Sequence, residues 1–316
     1  MPGEKKQHVV GDRLCPAATL EDLTMSIGHP IVAVTGSSGA GTSTVKSAFE
    51  HICRREHVDA VIVEGGSFHR FDRYEMPGEI EKARAAGHNL SHFGPEGNFF
   101  DNLEDLFKTY SETGTGARRH YLRSFEEARA WRQEPGTFTP WEPIPSGSDL
   151  LLYEGLHGGV VAGEIDIGKY VDLLIGVVPI VNLEWIQKIH RDTSERGYSA
   201  EAVTDTILRR MHDYVHYIVP QFSRTHINFQ RVATVDTSNP FIARDIPTAD
   251  ESFVVIRVRD PQRFDFPYLL NMIHNAFMSR PNTIVIPAGK MRFAMELMLM
   301  PLIHELMERK RYGQHL

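Results

Sequence analysis

Cysteine is nearly missing from this chain: 316 residues carry two, Cys15 and Cys53. That pair offers neither the spacing of a zinc site nor the density of a disulfide-built fold, and it fits a reducing, cytoplasmic setting. No apolar run approaches the roughly 18 residues that suggest a membrane span, and residues 1–7 are polar with no apolar segment behind them. Neither membrane insertion nor secretion is expected. A basic excess is missing too, since 34 Lys and Arg face 41 Asp and Glu for a net charge of −7. Nucleic acid and anionic membranes require a dominant basic face, so any anion site must be local. The 16 histidines form no H-E-x-x-H or comparable spacing, which leaves no zinc reading. Repeats and low-complexity tracts are also absent.

What is present is enough apolar material for a full core: 41% of residues are hydrophobic and 24% charged. Residues 1–28 read as a poorly ordered extension with a short helix at 20–25, and 29–316 as one domain. Apolar, β-branched runs predict strands at 31–34, 60–63, 149–153, 171–178, 231–235, 253–258 and 283–286. Helical spacing predicts helices at 44–55, 74–86, 102–110, 182–196, 199–217, from Pro267, and at 291–309, with Ser199 as an N-cap. This alternation indicates an α/β fold with a mostly parallel, mixed sheet, helices on both faces and antiparallel strands at one edge. The stripe Met291, Met295, Met298, Leu299 and Leu302 reads as a core face. Residues 111–148, rich in Gly, Pro, Thr and Trp, read as a long functional connection.

The strongest local signal is Gly36-Ser37-Ser38-Gly39-Ala40-Gly41-Thr42-Ser43-Thr44, set between the first strand and the first helix. Glycines let successive N–H groups face one anion while the next helix points its positive end at it. The spacing matches G-x-x-x-x-G-K-[ST] at Gly36, Gly41 and Ser43, but Thr42 stands where the phosphate-binding lysine is expected. Such a turn can also serve packing alone. As a ligand site it calls for a polyphosphate, most simply ATP.

Other constellations cluster near predicted strand ends. Glu154, closing the strand at 149–153, stands where a magnesium-holding carboxylate accompanies a phosphate loop, or simply ends a strand. Lys188 and Asp192 lie four apart on one helical face beside Arg191, and Arg196, Arg209 and Arg210 follow. They are either a solvated ion pair or a cationic site for phosphate. His69, flanked by Arg70 and Arg73 after a glycine turn, is either structural or part of that site.

Taken together, these residues resemble the phosphoribulokinase family, in its bacterial branch. The likeness runs from about residue 29 to 308. It is carried by the glycine loop with Thr42, by Tyr153-Glu154-Gly155-Leu156-His157-Gly158, by Asn182 to Asp192, and by Val235-Asp236-Thr237-Ser238-Asn239-Pro240-Phe241. It implies a P-loop kinase that uses ATP and Mg2+ to phosphorylate ribulose 5-phosphate at its 1-hydroxyl. In the roles it implies, residues 36–44 hold the nucleotide, with Glu154, Asp192 and Ser43 at the metal. Asp192, Arg191 and Lys188 are catalytic, and His69, Arg73, Lys188 and Arg196 contact the sugar phosphate. It further implies a homo-oligomer activated by NADH, with Arg55, Arg257 and Arg280 linked to regulation or its interface. The product would feed the Calvin cycle in a cell that also holds a carboxylase using it.

Two departures bear on activity. The family pattern Gly-Asp-(Ala or Ser)-Phe-His, whose aspartate is taken as the base, reads here Gly65-Gly66-Ser67-Phe68-His69, and Arg123 stands where several relatives have histidine. Loss of a general base commonly costs about 10²–10⁴ in rate, so the expectation is a slow kinase with intact nucleotide binding. The alternatives are a related kinase of another hydroxyl substrate, such as uridine, and a catalytically silent nucleotide-binding paralogue.

Overall fold

The computed structural model describes residues 28–36, 42–178, 180–194, 197–242 and 245–313, without the side chains of Thr42 and Ser43. The extension before Gly28, with its expected helix at 20–25, lies outside the described residues. Strand β1 (Ile31–Gly36) leads to α1 (Thr42–Glu56) and β2 (Ala60–Glu64), followed by α2 (Met76–Ala85) and α3 (Phe100–Thr113). The long connection holds the two-stranded ribbon of β3 (Ala117–Arg118) and β4 (Glu142–Pro143), with α4 (Phe125–Trp131) between them. Next come β5 (Leu150–Gly155), the ribbon β6 (Val161–Ala162) and β7 (Ile165–Asp166), then β8 (Leu173–Val178), α5 (Val181–Ser194) and α6 (Ala200–Asp213). The last third is β9 (Ile227–Ala233), β10 (Ser252–Val258), α7 (Phe266–Met272), β11 (Phe277–Arg280), β12 (Thr283–Pro287) and α8 (Met291–Gly313).

Eight strands form one sheet in the order β11-β12-β10-β9-β8-β1-β5-β2. Pairings from β9 to β2 are parallel, and those among β9, β10, β12 and β11 antiparallel. Val32 and Val34 of β1 pack with Val45, Phe49 and Ile52 of α1 and with α8, whereas Ile31 and Ala33 pack with Phe100, Leu103 and Phe107 of α3. Burial on both faces is why β1 reads as an unbroken apolar run. The predicted mixed sheet with helices on both faces is therefore present, and the methionine stripe of α8 lies in its core.

Three local differences have physical causes. The strand expected at 231–235 is β9, at 227–233, because outward-facing Asn228 and Gln230 interrupt its apolar pattern while Ile227 and Phe229 are buried. Strand β11 is only four residues long and gave no alternation to read. Helix α4 arises inside the connection, where the Ser124 hydroxyl accepts from the Glu127 N–H at 3.2 Å. In α6, Ser199 accepts from the Ala202 N–H at 3.2 Å, as its N-cap position predicts. Ser199→Ala should lower stability by about 1 kcal/mol, read from urea unfolding, with no change in unfolding slope.

Strand β1 lies between β5 and β8 while the chain runs from it to β2 beyond β5, and the crevice beyond the strand ends at such a switch is where α/β sheets bind ligands. Buried Gln221 fixes this edge. Its Oε1 accepts from the Thr35 hydroxyl at 2.8 Å and the Gly159 N–H at 3.0 Å, and its Nε2 donates to the Leu156 carbonyl at 2.9 Å.

Candidate active site

The phosphate loop begins where β1 meets β8. Gly36 is in register with Val177, and a Cβ on it would stand 2.6 Å from the Val177 carbonyl oxygen, so only glycine fits. Ser37, Ser38, Gly39, Ala40 and Gly41 lie outside the described residues. Thr42 and Ser43 open α1, and Thr44 is half-buried in its first turn. The helix N-terminus thus follows the strand end within a few residues, the arrangement that suits a phosphate.

Strands β2 and β5 end side by side, with Glu64 and Glu154 in register. Glu64 is held by Lys46 of α1 at 3.2 Å and by Arg123 of the connection at 3.1 Å. Glu154 makes no ion pair with the described residues, so its carboxylate is left for another cation. Magnesium is commonly held by one or two carboxylates together with substrate phosphates and water. Glu154 fits that demand, and no cluster of three or more His, Cys, Asp or Glu exists among the described residues to suggest an all-protein cage.

On α5 the structure brings Lys188, Arg191 and Asp192 together. Lys188 Nζ donates to Asp192 Oδ2, and Arg191 Nε donates to Oδ1 at 3.1 Å. Burial opposes charge on Asp192, yet the bond from Lys188 and the charges of Lys188 and Arg191 hold its carboxyl below the ordinary value. Lys188 is lowered too, because burial, helped by the charges of Arg210 and Arg191, outweighs the hydrogen bond and charge of Asp192. Burial and Arg209 likewise bring Arg210 of α6 to about 10. These cations are gathered on α5 and α6, a local concentration of positive charge in an acidic chain. Arg196 lies outside the described residues.

His69 follows the turn Gly65–Phe68 at the end of β2, and its Nδ1 lies 2.7 Å from Asn98 Oδ1. Its ring lies 4.2 Å from that of His92, tilted by 34°. Arg119 donates to the Ser67 carbonyl at 2.7 Å and to that of His69, fixing the turn. Arg73 is exposed, with its N–H bonded to the Gly136 carbonyl of the connection at 2.9 Å. Asn98, Glu64 and Arg119 were not singled out from sequence. Asn98 sits in a Gly-Pro turn with no local signal beyond its type.

Arg257 and Arg280 are exposed, and both pair with Thr283 in the sheet register, one from β10 and one from β11. Arg55, exposed at the end of α1, belongs to the layer packed on the opposite sheet face. One chain therefore does not bring all three together.

Residues 31–238 match the phosphoribulokinase / uridine kinase family, two-thirds of the chain and all of the strand-end site described above. The chain belongs to that family. Its relatives include the chromosomal phosphoribulokinase of Cupriavidus necator, 62% identical over 288 residues that span 91% of this chain and 99% of the relative. A probable phosphoribulokinase of Escherichia coli is 58% identical over 287 residues, again 91% of this chain and 99% of the relative. Among solved structures, the family's phosphoribulokinase from Rhodobacter spheroides superposes with a TM-score of 0.83 at 56% identity, covering 90% of this chain and 99% of that one. No helix among the described residues is long and apolar enough to cross a membrane.

Proposed function

We propose that this chain transfers the γ-phosphoryl group of ATP to the 1-hydroxyl of ribulose 5-phosphate, giving ribulose 1,5-bisphosphate and ADP. The observation that carries the reading is the Lys188–Asp192–Arg191 set on α5, in a chain 62% identical to a named phosphoribulokinase across nine-tenths of its length. A transferring phosphoryl group needs positioning and charge stabilisation more than covalent help. Lys188 and Arg191 supply two cations, and Asp192 orients both. Residues 36–44 hold the nucleotide, and Glu154, Asp192 and Ser43 would hold magnesium. When bound, that ion neutralises charge on the β- and γ-phosphates. His69, Arg73, Lys188 and Arg196 receive the sugar phosphate.

The finer assignments follow the same reading. The chain works in the cytoplasm as a homo-oligomer, with NADH as activator. The exposed pair Arg257 and Arg280 supports an anion site completed between copies, since Arg55 lies across the sheet from both. Gly66 favours one competing reading, a nucleotide-binding paralogue without turnover.

ADP release from magnesium-ATP should depend on ribulose 5-phosphate and exceed that with uridine. A faster rate with uridine would move the chain to the other branch of its family. Tight ATP binding with no turnover on any acceptor would leave the silent paralogue.

A further inference from the structure

Gly66 leaves an opening where the family pattern has a carboxylate, and a histidine faces that opening. A Cβ built on Gly66 would meet nothing nearer than Arg123 Nη2 at 3.6 Å and His69 Nε2 at 4.0 Å. The other ring nitrogen of His69, Nδ1, lies 2.7 Å from Asn98 Oδ1. Asn98 decides the tautomer. Its Nδ2 donates to the His92 carbonyl at 3.0 Å and the Gly94 carbonyl at 2.6 Å, so both amide hydrogens are committed to acceptors. Oδ1 must then accept from His69, which places the hydrogen on Nδ1 and the lone pair on Nε2. Asn98 also pairs with His69 through a backbone bridge, so the ring and its partner are fixed together.

We propose that His69 Nε2 accepts the proton of the sugar's 1-hydroxyl in this chain, at the place an aspartate on residue 66 would fill. The inference rests on the phosphoribulokinase reading above. The hydroxyl O–H bond breaks and its proton goes to Nε2. The freed oxygen pair bonds to the γ-phosphorus, and the bond from that phosphorus to the β–γ bridging oxygen breaks, its electrons leaving with ADP. The imidazolium returns its proton to water after product release. The surroundings keep the ring neutral beforehand. Burial, joined by the charges of Arg210, Arg119 and Arg123 and opposed only by the Asn98 hydrogen bond, brings it to about 4. His92 and His157, also lowered by burial, bring no charge of their own at neutral pH. A ring held neutral in this way keeps its Nε2 lone pair available to a hydroxyl proton.

The test uses the full chain with four forms: native, His69→Gln, Gly66→Asp, and the double variant, each assayed for kcat and for KM of ribulose 5-phosphate. His69→Gln should lower kcat by about 10²–10⁴, the general-base scale, beyond any rise in KM. The double variant should regain at least about tenfold of that loss, because the carboxylate takes the proton instead. Gly66→Asp alone should raise kcat by less than about tenfold. A His69→Gln variant that raises KM and keeps kcat would reduce His69 to a sugar-phosphate contact and overturn the proposal while the kinase reading stands. Equal losses in the single and double variants, or a gain of about 10² or more from Gly66→Asp alone, would also overturn it. Absence of turnover in all four forms would instead remove the kinase reading itself, and the proposal with it.

Discussion

Asp192→Asn is expected to lower kcat with ATP and ribulose 5-phosphate by about 10²–10³, the usual cost of losing one preorganised electrostatic contact to a transition state. The carboxylate is 4% exposed and gives one oxygen to Lys188 and the other to Arg191. An asparagine must turn its NH2 toward one of those cations, which neither accepts, and the phosphoryl group then meets two mispositioned charges. Removing one partner of a buried ion pair also leaves uncompensated charge, at a cost of about 3–5 kcal/mol in stability. Steady-state kinetics at a temperature where urea unfolding shows the variant folded separates the two effects. An unchanged kcat in folded protein would remove Asp192 from the chemistry.

Gly36→Ala should raise KM for ATP by about 10²-fold, the scale on which a displacement of about 1 Å acts in a preorganised site. The added methyl would stand 2.6 Å from the Val177 carbonyl oxygen and 3.0 Å from its Cβ. Both are parts of β8, paired in register with β1, so neither can yield without opening the sheet edge that carries the phosphate loop. KM for ribulose 5-phosphate should change far less, because His69 and Arg73 stand beyond β2 rather than on β1. Initial rates with each substrate varied in turn read the contrast. Gly66 is the opposite case, since its surroundings admit a side chain, and its glycine is a chemical rather than a steric fact.

Features that depend on neighbouring residues were legible in the sequence. The double-faced apolar run of β1, the i,i+4 pair Lys188–Asp192 and the Ser199 cap all follow from spacing along one segment. Features that depend on distant residues were not. Asn98 lies 29 positions from His69, and nothing in Gly97-Asn98 announces that its amide fixes an imidazole. Arg123 meets Glu64 across 59 positions, through a connection whose ribbon and short helix are too brief for any periodicity. Arg55, Arg257 and Arg280 were matched by position alone, and the fold separates Arg55 from the other two because alternate residues of β10 face opposite sides of the sheet.

The central claim is a phosphoryl transfer to one hydroxyl of one sugar phosphate, and phosphorus NMR of the product tests it most directly. Purified protein incubated with magnesium-ATP and ribulose 5-phosphate should give ADP and a sugar bearing a second phosphomonoester, coupled to the C1 protons, in a one-to-one ratio. ADP without that second signal, or a new phosphate coupled to any other carbon, would contradict the account.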